Sequence, residues 1–117
     1  MTVATGRTYS AFGLRVVSAF DLPALRSTSP PPGADTIEVQ RGRVDPPKGL
    51  GEGESLHRTA GGEVYLAFEA ARVLVRDGRV IRVAPHPDTP PEVLRHVILG
   101  PALNHLLHQR GLFVLHA

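Results

Sequence analysis

Cysteine and tryptophan are missing from these 117 residues, and lysine occurs once, as Lys48. The lack of cysteine excludes a disulfide framework, a thiolate metal site and a cysteine nucleophile together. A secretory signal and an apolar run near 18 residues are missing too, which argues against export and against membrane spanning. These absences predict a cytoplasmic protein. Aromatic residues are sparse, at 5%. Charge of one sign is also lacking: 13 Lys and Arg face 11 Asp and Glu, and the formal net charge is +2. The arginines are scattered rather than gathered, so no nucleic-acid footprint is expected.

What is abundant is glycine, at 12, and proline, at 11, and both cluster. Clustered breakers predict long loops between short elements. The length suits one domain with a modest core. "TYSAFGLRVVSAFDLPAL" has the β-branched and aromatic density of one or two strands, and "DTIEVQRGRV" alternates as a half-exposed strand. "RSTSPPPGAD" and "DPPKGLGEGES" read as loops, with His57 in the loop that follows. "EVYLAFEAARVLVRDGRVIRVAP" holds three short apolar runs, the last two flanking Asp77-Gly78. That pair between alternating strands predicts a hairpin, because both turn positions need positive φ. Val73 and Val75 should share a face, with Val80 or Ile81 opposite according to register.

The period then changes. Thr89 is placed to cap a helix, with Pro90, Pro91 and Glu92 in its first turn. Val93, Leu94, Val97, Ile98, Ala102, Leu103, Leu106 and Leu107 recur at helical spacing. Gly100-Pro101 interrupts them and predicts a kink or two short helices. Gly111 should end the helix in the left-handed region, before an apolar strand at 112–115. The expected fold is therefore α+β, with mostly antiparallel short strands, one kinked helix near the C-terminus and a final strand. Residues 1–88 form the β-rich region and 89–117 the helix plus strand.

Motif chemistry is thin. In "KGLGEGES" the lysine precedes the glycines, and Glu52 and Glu54 would repel phosphate, so it is no phosphate loop. No serine sits in a G-x-S-x-G elbow. His105 and His108 are close enough on a helix to share a metal, but no nearby carboxylate completes a site. They read as solvated helix histidines. His116 stands at the carboxyl end of the expected last strand, a position where related folds place chemistry. Position alone favours a partly buried histidine with a satisfied hydrogen bond.

Three stretches, "YSAFGLRVVSAFDLPAL", "VLVRDGRVIRVAP" and above all "LRHVILGPALNHLLHQRGLFVLHA", together resemble the amino-terminal part of HPr kinase/phosphorylase-like proteins. The resemblance leaves residues 26–34 and 45–62 unmatched. It implies that His116 corresponds to an active-site histidine beside the nucleotide phosphates. It also implies ATP and Mg²⁺ as cofactors of the complete protein and a serine of a carrier protein or peptide as substrate. The implied phosphate loop, its lysine and the catalytic aspartate are absent from these residues. The expectation is thus the front region of an ATP-dependent kinase, truncated or split, inactive alone and partnered by a complementary core. The alternative is a stand-alone protein- or peptide-binding module. An uncovered apolar edge at 112–115 would promote association, which leaves a homo-oligomer open.

Overall fold

The computed structural model describes residues 6–25, 29–48, 56–58 and 62–111. The strand expected at 112–115 and His116 lie outside the described residues.

The front of the chain makes two strands, β1 (Arg7–Ala11) and β2 (Leu14–Ser18). Phe12 and Gly13 join them, both left-handed with φ of 54° and 75°. Two consecutive left-handed residues match the twist of the flanking strands and let the chain reverse within two residues. Glycine adopts this freely, whereas Phe12 gives up about 1–2 kcal/mol and leaves its ring exposed.

Five further strands follow: β3 (Thr36–Arg41), β4 (Leu56–Arg58), β5 (Glu63–Ala67), β6 (Ala71–Arg76) and β7 (Val80–Pro85). His57, expected in a loop, lies in β4 opposite Tyr65. The sheet order is β1-β2-β3-β7-β6-β5-β4. Most pairings are antiparallel, but β3 runs parallel to both of its neighbours, β2 and β7. The β6–β7 turn has Asp77 and Gly78 at φ 55° and 63°, as the sequence requires. Arg79 donates its N–H to the Arg76 carbonyl at 2.9 Å, and strand pairing resumes only at Arg76–Val80. That extra residue sets the register, placing Ile81 opposite Val75 and Val83 opposite Val73. All four side chains are fully buried.

One helical rod covers this face. It comprises α1 (Pro91–Val97), a π-helical turn (Ile98–Ala102) and α2 (Leu103–Gln109). Leu94, Ile98, Leu106 and Leu107 join Val16, Ile37, Val73, Val75, Ile81 and Val83 in a single core. The fold is α+β, and none of its described helices is long and apolar enough to cross a membrane.

The π-helical turn has a cause in helix phase. Each α-helical residue advances about 100°, so an unbroken helix carrying Leu94 and Ile98 inward would next turn Pro101, His105 and His108 inward. The wider turn absorbs one extra residue, with the Leu103 N–H bonding to the Ile98 carbonyl. Leu103, Leu106 and Leu107 thereby face the sheet, while Pro101 and His108 stay exposed. Pro101 has no N–H to lose, so it sits inside the bulge without breaking a bond.

The far end of the rod is fastened to the β6–β7 turn. Gln109 accepts the Gly78 N–H at 2.7 Å and donates to the Val75 carbonyl at 3.2 Å. The Arg110 guanidinium donates to the Gly78 carbonyl at 2.8 Å and pairs with Asp35 at 2.6 Å. Gly111 then leaves at φ 77°, the expected left-handed stop.

Candidate functional site

Because β2, β3 and β7 are parallel, their carboxyl ends meet at one end of the sheet, the end where α1 begins. Open sheets with parallel strands characteristically bind ligands in the crevice outside those ends. A cleft of about 490 Å³ lies there. Ala19, Phe20 and Asp21 from the segment after β2, Arg41 at the end of β3, and Pro85 to Thr89 at the end of β7 form its walls. Pro91, Leu94, Arg95 and Ile98 close it from the rod.

Each wall has a local origin. Ser18 is fully buried, and its hydroxyl donates to the Phe20 carbonyl at 2.8 Å while accepting the Phe20 N–H at 3.0 Å. This bends the chain as it leaves β2 and seats the Phe20 ring beneath Arg41, whose guanidinium carbon lies 4.7 Å from the ring centroid. Pro87 and Asp88 form the tip of a tight turn closed by the Thr89 N–H on the His86 carbonyl. Asp88 is at φ 66°, a conformation that aspartate tolerates better than most residues. Thr89 does not cap the helix as its sequence position suggests. Pro90 stands between it and the first helical residue, so its hydroxyl instead donates to the Ala70 carbonyl at 3.0 Å, anchoring the turn to the sheet.

Asp21 is the charge hub. Its carboxylate takes Arg7 at 2.8 Å, the Tyr9 hydroxyl at 3.1 Å and Arg95 at 3.7 Å. The buried Tyr9 hydroxyl also accepts the Leu22 N–H at 2.9 Å, and Arg95 donates to the Asp21 carbonyl at 3.0 Å. Hydrogen bonding and charge from Asp21 hold the Arg7 guanidinium above its ordinary value. On the other side of Arg95 lies a second cleft of about 450 Å³, where Glu92 and His96 line the rod and Pro23 and Ala24 the β2–β3 connection.

Among the described residues the histidine that lines the cleft is His86, to which the sequence assigned no role. His105 and His108 sit on α2, away from it. Among the described residues no three His, Asp or Glu side chains are grouped to hold a metal. Arg41, Asp21 and Asp88 escaped sequence reading because each lies at or just past the end of a different strand. Only the parallel pairing of those strands brings them together, and no local pattern encodes that pairing. Comparison with models of protein families, with curated proteins and with solved structures finds no match for this chain.

Proposed function

We propose that this chain is the front, non-catalytic region of an ATP-dependent kinase resembling HPr kinase/phosphorylase, one that phosphorylates a serine of a carrier protein or a peptide. The resemblance of "LRHVILGPALNHLLHQRGLFVLHA" carries the reading. The fastening of Gln109 and Arg110 to the β6–β7 turn supports it. Phosphoryl transfer depends mainly on positioning and charge stabilisation, and a rod held at its last turn fixes the point at which Gly111 leaves it. His116 is the active-site residue in this reading.

The residues present do not fit a magnesium nucleotide. No phosphate loop with its lysine occurs in the sequence, and no step of phosphoryl transfer is derived from these side chains. The purified chain is accordingly expected to turn over no ATP, and sequencing the coding DNA past codon 117 should reveal a G-x-x-x-x-G-K-[ST] core in frame or in an adjacent gene. Clear ATP hydrolysis by the chain alone, or a coding region without any such core nearby, overturns the reading. A second reading, a free-standing peptide-binding module, is favoured by β1, an edge strand whose outer side pairs with no other described strand. Such an edge can accept an added strand.

A further inference from the structure

We propose that the cleft at the carboxyl ends of β2, β3 and β7 binds a small organic oxyanion, a carboxylate or phosphate carried on an apolar body with a hydrogen-bond donor beside it. This inference is independent of the kinase reading.

The decisive side chain is Arg41. Its guanidinium is stacked over Phe20, yet it has no hydrogen bond or ion pair among the described residues. Stacking fixes the plane of a guanidinium and leaves its edge donors free, which is the arrangement that grips a carboxylate or phosphate bidentately. Neither aspartate of the cleft pairs with it among the described residues: Asp21 serves Arg7, Tyr9 and Arg95, and Asp88 makes no ion pair. Around the cleft three arginines, Arg7, Arg41 and Arg95, therefore face two aspartates, Asp21 and Asp88.

The remaining walls choose among anions. Phe20 and Leu94 with Pro85, Pro87 and Pro91 make part of the cleft's lining apolar, on rigid supports. A bare hydrated anion makes poor use of such walls, whereas an aromatic or aliphatic body gains by leaving water. Asp88 also lines the cleft, and among the described residues its carboxylate has no hydrogen-bond or ion-pair partner. It disfavours a densely charged anion and accepts an N–H or O–H, so the favoured ligand carries a donor near its oxyanion.

Hippurate has this chemistry: a carboxylate, an adjacent amide N–H and a phenyl ring. Phenyl phosphate tests the phosphate form, inorganic phosphate the bare anion and benzylamine the opposite charge. In ¹⁵N-labelled protein at low salt, hippurate or phenyl phosphate should shift the amides of Ala19, His86, Asp88 and Arg95 saturably, with a Kd on the order of 1 mM for a ligand of this size. Which of the two binds more tightly identifies the oxyanion. Arg41→Gln should weaken that binding about tenfold. Arg43→Ala should leave it unchanged, because Arg43 pairs with Asp45 outside the cleft. The proposal is overturned if benzylamine binds as well as the anions, if inorganic phosphate matches them, if the shifts fall elsewhere, or if Arg41→Gln retains full affinity.

Discussion

At the scale of single residues, one hydroxyl joins the segment after β2 to the edge of the sheet. Tyr9 is almost fully buried, and its oxygen both receives the Leu22 N–H and donates to Asp21. Replacing it by phenylalanine keeps the ring and strands a buried backbone donor. Tyr9→Phe should therefore cost about 1–3 kcal/mol, read as a lower urea midpoint with an unchanged slope. The Arg7–Asp21 pair beside it is a different case, because both side chains are at least half exposed and water screens them. Arg7 is held above its ordinary value, so the share of stability tied to its own titration is complete at neutral pH and is lost as the pH rises into strong alkali. Loss of Arg7 should matter much less than loss of the Tyr9 hydroxyl. Neither role was legible beforehand. Tyr9 reads in the sequence as one more β-forming aromatic, since its partners lie twelve and thirteen residues away.

At the scale of elements, the rod is the instructive case. Pro101 announced a kink, and the apolar residues on both sides announced a helix, but the form of the interruption follows from phase. Between Ile98 and Ala102 the turn holds one residue more than an α-helix would. Deleting Pro101 removes that residue and the helix breaker together, so α1 and α2 should merge into a continuous helix with Leu103, Leu106 and Leu107 still facing the sheet. We expect this variant to fold with stability equal to or above that of the parent. Deleting His105, only four residues on, should instead swing Leu106 and Leu107 by about 100° off the core and cost about 3 kcal/mol or more. Circular dichroism and thermal melts of the two deletions decide the matter; equal damage from both would refute the phase argument. The β6–β7 turn was equally legible, because Asp-Gly is the residue pair that tolerates two left-handed positions. The β1–β2 turn was not, because Phe12 is a residue that avoids them.

At the scale of the whole molecule, local pattern and long-range pairing part company. The strands other than β4, the helix and the α+β class could be read from alternation and periodicity, whereas β4 was expected as loop. The parallel union of β2, β3 and β7 could not, since β3 and β7 join residues about forty positions apart, and nothing in a strand's own sequence names its neighbour. The cleft inherits that illegibility, being assembled from the ends of those strands. His116, the one site residue put forward from sequence, stands outside the described residues, so the cleft and that histidine are separate propositions. The rod connects the two ends of the sheet. At 1.5 Å per residue the run from Pro91 to Gln109 separates the Thr89 anchor from the Arg110 fastening by about 28 Å. Thr89→Val and Arg110→Ala should each lower stability by roughly 1–3 kcal/mol. In the double variant the two losses should sum to within about 0.5 kcal/mol, as urea melts of the four proteins will measure. A coupling well beyond that value would mean the rod transmits strain from end to end. Additivity would mean that the cleft can be remodelled freely, by selection or by design, without loosening the pole from which Gly111 departs.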